Sequence, residues 1–343
     1  MADIFNARVL VHPSFIEPDL IITTSQASGF MDLLAERALR VKLGPVDKFV
    51  YQNRIDLRTQ VTANQASANL LPSSTIIADY VQTATYRVRT RAEYNELDLA
   101  EAGEWNVALP AAQRLAMRQG IFQYIRVAAL FGVNAANSEG LLNVPNSTQV
   151  NLPPDSYGNT TILTYDPGQL AQFFLGQILA ALQRLYYLGA PTRVAILGPQ
   201  RIIGQMQLVN IVQLTSYQRP GAGTGTTAQL ITEIAKEFGI EIEWAYDDTL
   251  AGVGGNYGGA SGSDAVLMVV PEAIVPSMDG IDTNVFNALA PNQKAMTLQY
   301  ADVAAPVEIT TPIPEGLDVV SQMRISSGWA PRGQAVTTIT IPY

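Results

Sequence analysis

Residues 110–146, PAAQRLAMRQGIFQYIRVAALFGVNAANSEGLLNVPN, contain the strongest helical pattern of the chain and the turn in which it stops. Pro110 suits the first position of a helix, and the residues that follow are rich in Ala, Leu, Arg and Gln, which favour helix. The pattern predicts a helix over 110–132, roughly 35 Å long at 1.5 Å per residue. Gly120 lies in its middle at a cost of about 1 kcal/mol, which predicts close approach by another element.

The turn after this helix is expected to reverse the chain twice. Gly132 and Asn134 are residue types that take the left-handed conformations in which helices end. Gly140 permits a second reversal, after which Leu141 and Leu142 are expected to fold back onto a core. The turn is therefore interpreted as the exit from a scaffold helix, in preference to a binding loop.

A long hairpin is predicted before this helix, over 46–92. VDKFVYQNRIDLRTQV and ADYVQTATYRVRTRAEY both alternate in side-chain type, and TANQASANLLPSS between them is a tip of small and polar residues. The second strand places Tyr, Val and Thr on one face and arginines on the other, at Arg87, Arg89 and Arg91. Because so long a hairpin has little core of its own, it needs a neighbouring element or subunit.

The remaining segments lie on either side of these two elements. Residues 1–28 lack a sustained period and predict an extended arm, and 29–40 predict a short amphipathic helix. Residues 160–300 alternate helices with apolar strands, among them RVAILGP, IEIEWAY and AVLMVVP, and predict a compact α/β unit. Residues 301–343 predict strands punctuated by Pro and Gly, the last of them paired within a sheet.

Composition limits the possible functions. The 343 residues carry a formal net charge of −9, with 48% hydrophobic and only 15% charged residues, against about 25% charged in typical soluble domains. So acidic a chain is unsuited to sequence-specific nucleic-acid binding, which needs a basic face, and so little charge suggests surfaces covered by partners. The chain has no cysteine and one histidine, His12. It has neither an apolar run of the ~20 residues that span a bilayer nor a signal-peptide pattern, so a soluble cytoplasmic product is expected.

Two other features were weighed as sites. The glycine run GVGGNYGG at 252–259 stands between two predicted strands and lacks the following helix of a dinucleotide-binding turn, so a mobile surface loop is the preferred interpretation. Asp247 and Asp248, with Glu241 and Glu243, form an acidic cluster that suits either a divalent metal ion or a solvated turn. The sequence predicts no cofactor and no catalytic residue.

The order of the elements is arm, short helix, long hairpin, long helix, Asn/Gly turn, α/β unit and returning strands. That order, and RLAMRQGIFQYIRVAALFGVNAANSEGLLNVPN at 114–146 in particular, resembles the major capsid proteins of tailed bacteriophages with the Hong Kong 97 fold. The resemblance in element order covers nearly the whole chain, whereas the resemblance in amino-acid sequence is limited to residues 114–146. It implies an α+β fold and a non-enzymatic subunit that assembles as pentamers and hexamers into an icosahedral shell around the phage dsDNA genome.

The resemblance also implies a division of the chain. Its parts are the N-arm (1–28), a short helix and linker (29–45), the extended E-loop hairpin (46–92), the peripheral or P domain (93–159) with its spine helix (110–132), the axial or A domain of α/β type (160–300), and strands returning to the P domain (301–343). The family's best-known member cross-links a lysine to an asparagine. Here Lys48 is the only lysine of the hairpin region and lies at its base, so no such bond is expected.

A shell subunit needs partners, and the resemblance names their classes. They are further copies of the chain, scaffolding, portal and possible decoration proteins, and packaged dsDNA contacted non-specifically on the lumen side, with no membrane. The implied location is the virion capsid, after assembly in the host cytoplasm. Several charged residues are candidates for subunit interfaces, although a solvated surface is an open alternative: Arg54, Arg58, Arg87, Arg89, Arg91, Glu93, Glu96, Arg114 and Arg118.

Two other functions stay open at this level. An encapsulin-like cellular compartment has the same fold and binds cargo peptides in its lumen. An α/β enzyme would use the acidic cluster and the glycine loop, but a chain with a single histidine and no cysteine offers little for general acid–base chemistry.

Overall fold

The computed structural model describes residues 39–44, 46–58, 75–104, 109–134, 138–185, 193–209, 225–273, 295–296, 299–302, 306–314, 316–330 and 332–343. The N-arm predicted for 1–28, most of the helix predicted for 29–40 and the hairpin tip at 62–74 lie outside these residues. None of the helices in the described ranges is both long and apolar enough to cross a membrane.

The described chain contains strands and helices in nearly equal measure. The helices are α1 (Glu96–Glu104), α2 (Leu109–Phe131), α3 (Pro167–Leu185), α4 (Gln200–Leu208) and α5 (Thr227–Glu237). The strands are β1 (Leu39–Lys42), β2 (Phe49–Arg58), β3 (Thr75–Asn95), β4 (Thr148–Asn151), β5 (Arg193–Gly198), β6 (Glu241–Tyr246), β7 (Asp264–Val269), β8 (Glu272–Ala273), β9 (Ala295–Met296), β10 (Gln299–Asp302), β11 (Val307–Ile313), β12 (Gly316–Ser326) and β13 (Val336–Ile341).

A six-stranded sheet is built around β3, which is 21 residues long. Its first half pairs with β2 in antiparallel register, from Phe49 opposite Ala84 to Arg58 opposite Thr75, so the predicted hairpin is confirmed. Its second half pairs with β12, which in turn pairs with β10 and β11. The helix predicted over 29–40 is wrong at its end, because Leu39 and Arg40 belong to β1 and pair with β10.

Helix α2 covers one face of this sheet, and its bounds confirm the helix predicted from the sequence. Ile121, Ile125 and Ala128 pack against Met323 and Ile325 of β12. Burying aliphatic side chains of this size contributes about 1.5–3 kcal/mol each, so this contact fixes the helix on the sheet. The short helix α1, which joins β3 to α2, was not predicted.

A five-stranded sheet forms the core of the α/β unit, in the order β4-β13-β7-β5-β6. Helices α3, α4 and α5 cover one face, where Phe174, Ile178 and Ile231 are fully buried. The expectation that all of 301–343 returns to the sheet of the long helix is wrong for β13. That strand pairs with β4 on one side and β7 on the other, because its six consecutive buried residues suit a strand with both faces covered.

The end of α2 joins the two sheets. Ala129 and Leu130, with Leu141 and Leu142 from the turn after it, pack on the face of the five-stranded sheet that α3 leaves uncovered. The prediction that the two leucines fold back onto a core is confirmed. One helix therefore contributes to the cores of both sheets and fixes their relative position.

Candidate functional site

The turn after α2 depends on two glycines, Gly132 and Gly140, that leave no room for a side chain. Gly132 has φ +80° and Gly140 has φ +90°, a region that L-residues with a side chain rarely adopt. A Cβ atom on Gly132 would lie 2.3 Å from the carbonyl oxygen of Glu139, and one on Gly140 would lie 2.3 Å from the amide nitrogen of Gly132. The expectation for these glycines is confirmed. The one for Asn134 is wrong, because the non-glycine residues with positive φ in the described part of the chain are Ser138 and Asn146.

Glu139 lies buried in this turn and connects three elements. Its carboxylate accepts the Tyr86 hydroxyl from β3 at 2.6 and 2.8 Å. It also accepts the Asn134 backbone N–H and the Ser327 hydroxyl, both at 3.3 Å. Because charged acceptors strengthen hydrogen bonds, this Glu139 junction ties the hairpin strand, the end of α2 and the end of β12 together. This junction cannot be recognised in the sequence, since one glutamate in a polar turn resembles any solvated residue.

The six-stranded sheet has a second face, opposite α2, which we call the open face. Alternate residues of β3 point to it, and cross-strand pairing places Gln322 opposite Arg89 and Val307 opposite Gln322. Arg87, Arg89 and Arg91 are exposed there, as predicted from the alternation. Val307 and Ile309 are 48% and 46% exposed. No helix among the described residues packs on this face.

The arginines of the open face differ in their partners. The Arg91 guanidinium donates a hydrogen bond of 2.9 Å to the Asp318 carboxylate and lies 3.3 Å from Glu93. This hydrogen bond, followed by the negative charges of Asp318 and Glu93, raises the Arg91 pKa. Arg87 and Arg89 form no ion pair with any described residue. These exposed pairs of Arg91 are screened by solvent and contribute little to stability. Arg87 and Arg89 remain as cations without an ion pair among the described residues.

The remaining interface candidates lie in three places. Arg114 and Arg118 of α2 both reach Glu308 of β11, at 3.5 and 3.3 Å, so they connect helix and sheet within one chain. Glu96 begins α1, where an acidic residue favours the helix dipole. Arg54 and Arg58 belong to β2, with backbone partners Asp79 and Thr75.

The base of the hairpin contributes two further features that the sequence did not predict. Phe49, Tyr51 and Tyr80 are exposed and form a row, with ring centroids 6.3 and 6.1 Å apart. Beside them a cavity of about 540 Å³ lies between the hairpin base, the Glu139 turn and the segment after β12. Trp329 lines it, and its Nε1–H has no hydrogen-bond partner in the described part of the chain.

The acidic cluster does not form a metal site. The Asp247 carboxylate accepts the Thr249 backbone N–H at 3.0 Å and its hydroxyl at 2.6 Å, and lies 3.7 Å from Arg126. Asp248 accepts the Gln200 backbone N–H at the start of α4. Glu241 and Glu243 both flank Arg193 instead. Among the described residues no three acidic or histidine side chains are grouped as ligands.

The glycine run is a packed turn, which corrects the expectation of a mobile surface loop. The Gly254 backbone N–H donates to Ser263 at 2.7 Å, and the Gly259 N–H donates to Gly254. A Cβ atom on Gly259 would lie 2.5 Å from the Ser263 hydroxyl and 2.7 Å from Thr340. These amides are used within the protein, so the glycines are needed for close packing against β13 and not for binding a phosphate.

Comparison with known proteins gave matches in structure only. No protein-family model matches the sequence, and no curated protein matches it. The capsid of Myoviridae phage XM1 is similar over 93% of this chain and 94% of that one, with a TM-score of 0.66 at 12% identity. The capsid of the native GTA particle covers 97% and 96% (TM-score 0.56, 10% identity), and that of cyanophage P-SCSP1u covers 96% and 93% (TM-score 0.56, 12% identity). The chain therefore has the mixed helix-and-sheet fold of phage capsid proteins, as the resemblance predicted.

Proposed function

We propose that this chain is the major capsid protein of a tailed bacteriophage, which self-assembles as pentamers and hexamers into an icosahedral shell around dsDNA. The observation that carries the proposal is the match of 93–96% of the chain to proteins described as capsids. A structural role suits the described residues better than a catalytic one, because the acidic cluster and the glycine turn are engaged in internal contacts.

The parts of the chain take the roles that the Hong Kong 97 fold assigns. Residues 1–28 act as the N-arm, and 46–92 form the E-loop that lies over a neighbouring subunit. Residues 93–159 form the P domain with α2 as its spine helix. Residues 160–300 form the A domain toward the capsomere axis, with β13 completing its sheet from the returning segment 301–343.

The interface candidates act at contacts between subunits. The exposed charges of β3 and of the start of α1 are the best placed, since Arg87, Arg89 and Glu96 make no ion pair with a described residue. Arg54 and Arg58 lie on β2 nearer the hairpin tip, where their backbones pair with Asp79 and Thr75. Arg114 and Arg118 retain Glu308 as an internal partner and contribute less.

The proposed role as a capsid subunit implies other protein partners besides further copies of the chain. A shell of this kind is built in the host cytoplasm with scaffolding and portal proteins, carries decoration proteins where they exist, and becomes the virion capsid. A net charge of −9 suits a lumen that holds DNA without binding it tightly, because a basic lining would retain the phosphates during packaging.

Electron microscopy and sedimentation of the purified chain test the proposal. Closed shells tens of nanometres across, built from rings of five and six subunits, are the expected result. Small discrete oligomers at all protein and salt concentrations, together with turnover of a small molecule, would contradict it. Shells that retain cellular cargo proteins and exclude DNA in the native host would favour the encapsulin-like compartment instead.

A further inference from the structure

The open face combines unneutralised positive charge with apolar surface. Arg87 and Arg89 are exposed without ion pairs among the described residues, and Val307 and Ile309 lie two strands away from the arginine row, about 10 Å across the sheet. An uncovered surface of this kind fits a partner with carboxylates next to an aliphatic side chain. The chain itself carries such a surface.

The start of α1 has the matching chemistry. Glu96, Leu97 and Asp98 are consecutive and exposed, and Leu97 is 70% exposed, so its side chain is available for a contact. Glu96 and Asp98 form no ion pair with a described residue, and the last turn of α1 contains no basic residue. The segment therefore presents two free carboxylates on either side of a leucine.

These two surfaces are too far apart to meet within one subunit. Glu96 follows directly on β3, and Arg89 lies seven residues earlier on the same extended strand, roughly 20 Å away at the rise of a strand. Neutralisation of one by the other therefore requires two copies of the chain. Because the two patches differ, the contact is heterologous, and repeated rotation closes it into a ring.

We infer that the open face of one subunit binds the first turn of α1 from the adjacent subunit, with Arg87 and Arg89 facing Glu96 and Asp98. The inference rests on the proposed shell function and names the contact that orders subunits within a ring. The hairpin of a neighbour is the competing occupant. The described part of the hairpin exposes the aromatic row of Phe49, Tyr51 and Tyr80, which does not neutralise the two arginines. The exposed carboxylate at its base, Asp47, already accepts the Gly44 backbone N–H at 2.7 Å.

Charge reversal with rescue tests the contact. Arg87→Glu with Arg89→Glu is expected to lower the yield of sedimenting shells at least about tenfold, because the repulsion recurs at every interface of the ring. Adding Glu96→Lys and Asp98→Lys to this variant restores opposite charges across the contact. The four-fold variant is expected to assemble within about twofold of the unmodified protein, since the same charges face each other with their signs exchanged.

A matched control separates local pairing from net charge. Glu233→Lys with Glu237→Lys, on the exposed side of α5, restores the same total charge to the arginine variant without touching the contact. This control is expected not to rescue assembly. Circular dichroism and thermal unfolding of each dissociated variant establish that the subunits fold.

The outcomes are distinguishable. Unimpaired assembly of the folded arginine variant overturns the inference, and so does loss of assembly that Glu96→Lys and Asp98→Lys do not repair, since another segment or ligand then occupies the face. Equal rescue by the α5 control also overturns it, because only net charge matters then. Failure of the unmodified chain to form shells under any condition is a failure of the proposed function instead.

Discussion

Two glycines near the centre of the chain have opposite steric surroundings. Gly140 has φ +90° and its missing Cβ would meet the backbone of Gly132 and Phe131, whereas nothing lies within 4 Å of the Cβ position of Gly120 in α2. The close approach predicted at Gly120 is therefore absent within the described chain. The same residue type is required at one position and merely tolerated at the other.

Alanine substitution is expected to separate these two positions. Gly140→Ala should lower the free energy of unfolding by about 3 kcal/mol or more, because it adds left-handed strain to a backbone clash. Gly120→Ala should raise the free energy of unfolding by about 0.5–1 kcal/mol, since alanine loses less conformational entropy in a helix. Urea unfolding of dissociated subunits measures both changes. Equal destabilisation by the two variants would contradict this steric account.

The Glu139 junction gives a second test at the level of single residues. Glu139→Ala removes an acceptor from buried hydroxyl and amide donors and should lower the free energy of unfolding by about 3 kcal/mol. Tyr86→Phe removes only the donor on β3 and should cost about 1.5 kcal/mol. In a double-mutant cycle the two effects should be non-additive, because they share the Tyr86 hydrogen bonds. Additive losses would mean that the junction is not a unit.

Asp155 makes stability depend on acid pH. Burial alone would raise the pKa of Asp155, but hydrogen bonds from Asn159, Tyr157 and Asp166 outweigh burial and lower it below the usual 3.8. A lowered folded pKa contributes stability above the unfolded value, and that stability is lost as pH falls through the folded pKa. The test is to measure the temperature at the midpoint of unfolding from pH 6 to pH 2, a range that spans the pKa of about 4 of a free aspartate. As the pH falls, this temperature should decrease less for Asp155→Asn than for the unmodified chain. Parallel curves would refute the linkage.

Local sequence patterns were sufficient to predict those helices and strands whose own residues show a clear periodicity. The bounds of α2, the hairpin strands and the alternating helices and strands of the α/β unit follow from periodicity and end residues. Helix α1 was missed because it has few apolar residues and directly continues a strand. The helix predicted over 29–40 includes Leu39 and Arg40 of β1, because these residues form a strand only by pairing with β10, more than 250 residues away along the chain.

The hairpin should be needed for assembly and not for folding. Deleting 62–74 keeps in the chain all the residues of the described β2–β3 pairing and all the described residues of the two cores. The variant is therefore expected to be soluble and to unfold at the unmodified temperature, but to form no stable shells. Circular dichroism and sedimentation measure the two properties. Replacing 62–74 by a Gly/Ser segment of equal length is the matched control, and normal shells from the deletion variant would refute the role.

The sheet to which β13 belongs could not be predicted from the sequence, so the boundaries of the α/β unit could not be predicted either. A run of alternating Thr and Ile predicts a strand but does not indicate which sheet it joins. The structure inserts it between β4 and β7, so the α/β unit contains residues from both 148–151 and 336–341. The Glu139 junction could not be predicted for a related reason, since its partners Tyr86 and Ser327 come from distant segments.

Truncation tests this dependence on β13. Removing 336–343 takes a fully buried strand from the middle of the sheet and should abolish cooperative unfolding of the α/β unit. Removing Tyr343 alone is the control. Its ring is half exposed and lies 4.6 Å from the Arg201 guanidinium, so the loss should be about 1 kcal/mol or less. A soluble, cooperatively folding 1–335 chain would show that β13 is dispensable.

The central position of β13 also has a consequence for timing during synthesis. A ribosome adds roughly 5–20 residues each second, so β7 waits several seconds before the strand that fills its open edge has been made. During that interval β7 has an unpaired edge and the five-stranded sheet is incomplete. A chain that assembles as proposed above therefore becomes competent to do so only after β13 has been synthesised and has joined this sheet.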